Sequence, residues 1–215
     1  MIETATGLVL RTRPLTETSL IVQWLTPQLG RLATVAKGAR RSKSPFQGKL
    51  DLFYLLDFSF SRSRRSELHT LREVTLRQTH PELRHELGYV QQLSYCTALI
   101  EHATETETPL GGVYELMFGL IKYLPAHPPA PHTIFSFELK LLDELGLTPD
   151  FEASRLTAGA KQWLLKMAQS DWPLLAQMRL SKPQLSELRQ FLHRFLVFHL
   201  GKVPANRAAA LHLPD

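Results

Sequence analysis

Cysteine is almost missing from this chain of 215 residues, in which Cys96 stands alone. A disulfide within the chain and every thiolate-rich zinc arrangement are thereby excluded. In the apolar setting LSYCTALI, Cys96 reads as a small buried side chain. Long apolar runs are missing too: no stretch approaches the roughly 20 residues needed to cross a bilayer. The opening residues MIETATGLVLRTRP lack the basic-then-apolar order of a secretory leader. A cytoplasmic protein with no membrane contact is therefore expected. GARRSKS sets lysine before serine, but without the glycine spacing that turns backbone N–H groups toward phosphate, so no ATP use is expected.

One further absence is local. Thr18 through Leu50 contains neither aspartate nor glutamate, yet Arg31, Lys37, Arg40, Arg41, Lys43 and Lys49 all fall within it. Such a cluster needs anions from elsewhere, and a phosphate backbone supplies them at regular spacing. Arg62, Arg64 and Arg65 form a second cluster. Through Gln78 the chain has 13 Arg or Lys against 6 Asp or Glu, and beyond it 12 against 14, so the two parts are expected to meet different partners.

The pattern changes at the same place. TGLVLRTR, TSLIVQWLT, GRLATVAKG, LDLFYLLDFSF and ELHTLREVTLR are short β-prone pieces between turn signals, and they predict five strands. In the fourth, Leu52, Tyr54, Leu56, Phe58 and Phe60 alternate onto one face. A five-stranded barrel would remove sheet edges within about 80 residues. After His80 the period becomes helical. Pro81 opens a long predicted helix, GGVYELMFGLIKYLPA and TIFSFELKLLDELG predict two more, and Gly146 is a stop. Leu185, Leu188, Phe191, Leu192, Phe195 and Leu196 form an apolar stripe at helical spacing. The expected fold is α+β: an N-terminal five-stranded OB-like β-barrel over residues 1–79, then an all-α helical domain over 80–215.

Catalytic chemistry finds little support. His80 and His85 lie around a helix start, His127 and His132 flank a proline-rich turn, and His193 and His199 lie six apart, a spacing that assembles no site. Glu101, Glu105 and Glu107 read as a solvated helix end. No catalytic residue, metal site or cofactor is assigned, and the chain is not expected to be an enzyme. On the barrel, loops flanking a strand pair could border one groove and let both basic clusters track a single strand. Trp24 and Phe46 are the candidates for base stacking, whereas Tyr54 falls on the core face. Flexible phosphate contacts position a backbone without reading bases, so affinity with little sequence preference is expected. Charge alone leaves other readings open: a solvated surface, an RNA-binding or ribosome-associated barrel, or an adaptor that works through its helices.

The run GLVLRTRPLTETSLIVQWLTPQLGRLATVAKGARRSKSPFQGKLDLFYLLDFSF resembles the bacterial DNA repair protein RecO family. The likeness rests on Arg13 and Pro14, Glu17 to Ser19, Thr26 and Gly30, then Ala36, Lys37, Gly38, Arg40 and Arg41 in order. FSFELKLLDELGLTP and LRQFLHRFLVFHLGKVPANRAAAL extend it into the helical part. The resemblance implies a recombination mediator that binds single- and double-stranded DNA and anneals complementary strands. It further implies cooperation with RecR to help RecA replace single-stranded-DNA-binding protein, SSB; participation of RecF is left open. The helical part would receive the acidic, hydrophobic C-terminal tail of SSB, with Phe137, Lys140 and Leu141 as candidates. Nucleoid association during repair follows from the same reading. Many relatives carry four cysteines after the ELG turn; here LTPDFEASRLTAGAK has none, so the chain resembles the zinc-free branch.

Overall fold

Strand β1, Ile2–Pro14, is long enough to pair twice, first with β4 (Leu55–Ser61) and then with β2 (Leu20–Thr26). The computed structural model describes residues 1–211. A register shift between Val9 and Arg11 separates the two halves of β1 and bends it around the sheet. Strand β3, Gly30–Ala36, returns antiparallel to β2 through a tight turn. The buried Thr26 hydroxyl fixes that turn, donating to the Gly30 carbonyl (3.0 Å) and accepting from Leu29 N–H (3.0 Å). Strand β5, Leu68–Gln78, runs antiparallel to β4 and parallel to β3. The ladders follow the order β1-β2-β3-β5-β4 as a closed barrel.

Period-two alternation sends Val22, Trp24, Leu32, Leu56, Phe58 and Phe60 into one core. Trp24 stacks on Phe58 with ring centroids 4.0 Å apart, and its Nε1 donates to Thr34 Oγ1 at 2.8 Å. The one polar atom of the indole is therefore satisfied inside the core, which removes the main cost of burying it.

The expectation of a self-contained five-stranded OB-like barrel needs correction. Among the described residues β3 and β5 pair only from Ala33–Leu68 to Val35–Thr70, so five strands alone leave the Gly30 end of this seam open. A segment beyond the first 79 residues occupies it. Thr106 bridges to Arg31 in parallel, and Glu107 N–H donates to the Arg31 carbonyl at 2.7 Å. Gly30 (φ +63°) lies so close that a Cβ there would sit 2.0 Å from the Thr108 carbonyl oxygen. One compact unit accordingly contains Met1–Pro81 together with Thr104–Glu115, and the other contains Glu82–Ala103 and the chain from Leu116 onward.

Strand β4 is also shorter than its alternation suggests. Phe53 adopts a left-handed backbone (φ +64°), and the pairing of Phe53 N–H with the Val9 carbonyl (2.7 Å) and Val9 N–H with the Tyr54 carbonyl (3.0 Å) precedes the regular ladder. Leu52 and Tyr54 thus lie outside β4 and Leu52 is exposed, while Tyr54 packs against the core and Leu56, Phe58 and Phe60 face it as expected.

Beyond β5, residues Pro81–Arg84 form a single 3₁₀ turn rather than the start of a long helix. Helix α1 then spans Leu87–Ala103, followed by α2 (Gly111–Tyr123) and α3 (Pro131–Glu144). Gly146 (φ +71°) ends α3 as expected, with Leu147 N–H reaching back to the Leu142 carbonyl at 2.8 Å. Helices α4 (Ala158–Gln169), α5 (Trp172–Leu175), α6 (Lys182–Leu200) and α7 (Arg207–Ala210) complete the second unit. Ser181 and Gln184 cap α6 reciprocally, and Leu188, Leu192 and Leu196 bury one of its faces. At the centre, Arg207 grips the fully buried Glu138 carboxylate with two bonds (2.7 and 2.8 Å), and Tyr95 Oη donates to it at 2.6 Å. Burial opposes the Arg207 charge, but Glu138 more than compensates and holds its pKa above the ordinary value.

Candidate nucleic-acid interface

The basic segment leaves β3 at Ala36 and folds into consecutive turns. Arg41, Ser44 and Gln47 N–H groups donate to the carbonyls of Gly38, Arg41 and Ser44, each at 3.1 Å. Gly38 supplies the left-handed backbone (φ +69°) that starts the series. Two anchors fix it to the barrel. Arg40 N–H donates to the Thr18 carbonyl (2.9 Å) and its Nη1 to the Thr16 carbonyl (3.3 Å), tying the segment to the β1–β2 connection. Phe46, 7 % exposed, belongs to the core cluster that also contains Trp24 and Phe58. Lys37, Arg40, Arg41 and Lys43 are exposed and Lys49 is half-buried. Among the described residues none of these five forms an ion pair. Arg13, exposed next to the last residue of β1, lies at the same end of the barrel, since it pairs with Ile21 just after the β1–β2 connection. It belongs with this cluster, and its place next to Pro14 at a strand terminus was the available signal.

The second cluster lies elsewhere. Strands β3 and β5 run in the same direction, so Arg62, Arg64 and Arg65, which precede β5, sit at the Gly30 end, whereas residues 37–49 follow the Ala36 end. The rise of an extended chain separates the clusters by on the order of 20 Å along the strand direction. Arg64 and Arg65 are exposed, but Arg62 is engaged by Glu3 (2.7 and 2.9 Å) and by Glu107 (2.6 Å). The hydrogen bond from Arg62 holds the Glu3 carboxyl below the usual carboxylate range, and reciprocally Glu3 raises the guanidinium pKa. Arg31 is likewise occupied: its Nε donates to Thr104 Oγ1 at 2.7 Å and its Nη2 to the Thr104 carbonyl.

Both stacking candidates need correction. Trp24 is fully buried and Phe46 nearly so, and a ring packed against protein on both faces has no face left for a base. The candidates for the SSB tail change for the same reason. Phe137 and Leu141 are 0 % and 1 % exposed, and Lys140 Nζ donates to the Ala168 carbonyl at 3.2 Å. Burial pushes the Lys140 pKa down, with partial relief from Asp171 and Asp143.

An open site does exist on α6. A groove of about 560 Å³ on the barrel is lined by hydroxyls and the Asp57–Arg77 pair, but a second, of about 550 Å³, combines Leu156, Phe191, Phe195 and Phe198 with Arg155 and Arg194. Phe198 is 83 % exposed. Phe191 and Phe195 thus leave the predicted apolar stripe and face this groove, while the leucines keep the core. The departure of Phe198 from the leucine spacing was the sequence signal for it. Among the described residues no three His, Cys, Asp or Glu side chains are grouped to hold a metal ion, and no helix is long and apolar enough to cross a membrane.

Known proteins resemble this chain in sequence over most of its length. The family model described as Recombination protein O N terminal matches residues 1–80, and Recombination protein O C terminal matches residues 86–158. A DNA repair protein RecO of Anaeromyxobacter sp. (strain K) is 28 % identical over 94 % of this chain and 93 % of its own length. RecO of Bacillus pumilus is 26 % identical over 92 % and 79 %, and that of Rhodopirellula baltica 30 % identical over 66 % and 53 %. Because the two models describe successive parts of one protein and match here in that order, on a barrel unit and then a helical one, the chain belongs to the Recombination protein O family.

Proposed function

We propose that this protein is a non-enzymatic mediator of DNA repair and recombination that holds single- and double-stranded DNA on the Ala36 end of its barrel and anneals complementary strands. Its family supports the general role in DNA repair and recombination. The observation that carries the finer reading is the set of five cations from Lys37 to Lys49, raised on an anchored segment with no ion-pair partner among the described residues. Phosphates meeting these cations release counterions, and lowering the repulsion between two strands favours their encounter without ATP. The backbone is gripped and the bases stay free to pair, which annealing requires.

The α6 groove supports a second contact, with the C-terminal tail of SSB. Phe198 and its neighbours offer apolar surface, and Arg155 and Arg194 complement acidic side chains or a terminal carboxylate. Tail docking would concentrate the protein on coated DNA, where RecR would join it in admitting RecA. The test compares annealing of bare and SSB-coated strands. Charge reversal at Arg40 and Arg41 should abolish both reactions, while Phe198→Ala should lower only the second. Annealing that survives replacement of the whole 37–43 cluster sinks the proposal, and preference for RNA over matched DNA would redirect it to an RNA-binding barrel.

A further inference from the structure

The two basic clusters are treated differently by the fold. At the Ala36 end no carboxylate pairs with the cations among the described residues. At the Gly30 end, Arg62, Arg64 and Arg65 share the surface with Glu3, Glu67 and Glu107. Glu107 is the distinctive member. It comes from the inserted segment 104–115, not from the barrel strands, and holds a left-handed backbone (φ +55°) that non-glycine residues rarely adopt.

Its partners hold it from several sides. The carboxylate takes Arg62 Nη1 (2.6 Å) and His69 Nε2, while its own N–H is bonded to Arg31. His69 is 2 % exposed, and its Nδ1 accepts from Ser63 N–H (3.2 Å), which leaves Nε2 as the donor to Glu107. Thr106 Oγ1 adds a bond to Glu67 (3.2 Å). Arg62 has Nε and Nη2 committed to Glu3, so Glu107 covers its remaining nitrogen on the exposed side.

Without Glu107, this guanidinium would have one uncommitted nitrogen, two residues from Arg64 in sequence, and such a nitrogen is what a nucleic-acid phosphate would seek. We infer that the Gly30 end is a second phosphate-binding site in which the Glu107 carboxylate stands where a phosphate oxygen would bind, confining DNA to the Ala36 end. This rests on the DNA-binding reading proposed above. Glu107 is an electrostatic plug, and an anion able to displace it would extend the DNA path along the β3–β5 seam.

The test titrates a fluorescent single-stranded oligonucleotide into the full chain over a range of salt. Glu107→Gln should raise affinity several-fold and steepen the log K against log salt slope by about 0.7, the increment for one more phosphate on a single strand. Glu105→Gln removes the same charge from an exposed neighbour and should change the slope little. Arg62→Ala placed on Glu107→Gln should cancel the gain. Equal gains from Glu107→Gln and Glu105→Gln, or a gain that survives Arg62→Ala, would overturn the inference. Should Glu107→Gln fail to fold, Arg62→Ala alone decides: already neutralised, Arg62 should be dispensable for binding, and a loss matching that of Arg41→Ala sinks the plug. Loss of binding in the Arg40 and Arg41 charge reversal reports on the primary site alone, so the two readings fail separately.

Discussion

Phe46 lies between Lys43 and Lys49 in sequence, yet its ring belongs to the barrel core. Truncating it to alanine removes the plug that holds the middle of the basic segment. In a well-packed core a Phe→Ala change costs about 3–5 kcal/mol, whereas a leucine at the same place keeps most of the apolar volume and costs roughly 1 kcal/mol. Part of the alanine cost would be relieved by release of the turns between Gly38 and Lys49, and binding would then have to order them again. Fixing one or two residues at about 1–2 kcal/mol each costs about 1–4 kcal/mol in all, which corresponds to a loss of roughly 5- to 1,000-fold in affinity. The assay is fluorescence anisotropy of a labelled 20-mer at fixed salt, run for wild type, Phe46→Ala and Phe46→Leu, each checked for folding by thermal melt. Phe46→Leu should bind within about threefold of wild type, and an abasic oligonucleotide should rank the three proteins in the same order. Equal losses for leucine and alanine, disappearing on abasic DNA, would show the aromatic face stacking on bases and refute the anchoring argument.

Glu138→Gln should leave Arg207 charged and poorly paired in the helical core; breaking a buried pair costs about 3–5 kcal/mol, so the melting temperature should fall by about 10 °C. An unchanged melt would show that the pair contributes nothing net. Gly30→Ala would drive a methyl into the Thr108 carbonyl and also force a positive φ on alanine, so soluble yield and melting temperature should both drop; wild-type behaviour would mean that the 104–115 segment is easily displaced. Acid should weaken the barrel, because hydrogen bonds from Arg62 to Glu3 and from Thr6 to Asp57 hold both carboxyls below their ordinary values. Their contribution is complete above about pH 4.5 and is lost as pH falls through the lowered folded values, so Glu3→Gln and Asp57→Asn should flatten the decline seen in urea midpoints.

The strands were readable where alternation and turn chemistry agreed. Leu56, Phe58 and Phe60 gave their face away, and Gly30 and Gly146 marked a turn and a helix end. Local pattern misled at Leu52, which is exposed because the left-handed Phe53 interrupts an otherwise regular period, and nothing in the neighbouring residues announces that backbone; Tyr54 still packs against the core. The exposed cations from Lys37 to Lys43 were visible as an acid-free interval. Their separation from Arg62, Arg64 and Arg65 was not, since it follows from the parallel pairing of β3 with β5, a long-range property. Trp24 and Phe46 looked like stacking groups because an aromatic beside arginines has the same composition whether it faces a base or a core. Arg31 and Arg62 looked free for a similar reason: their partners, Thr104 and Glu107, lie 73 and 45 residues away.

The segment that covers the Gly30 end also sets an order of events during synthesis. Strands β1 to β5 emerge from the ribosome well before Thr104, yet the seam between β3 and β5 is complete only when residues 104–108 arrive. At about 5–20 residues per second, the gap from Gln78 to Thr108 lasts a few seconds. Throughout that interval the nascent barrel carries unpaired backbone groups from Gly30 to Leu32, a short edge open to other chains. Helix α1 lies between the fifth strand and the piece that seals it, so the nascent chain must carry this helix before its first unit is finished.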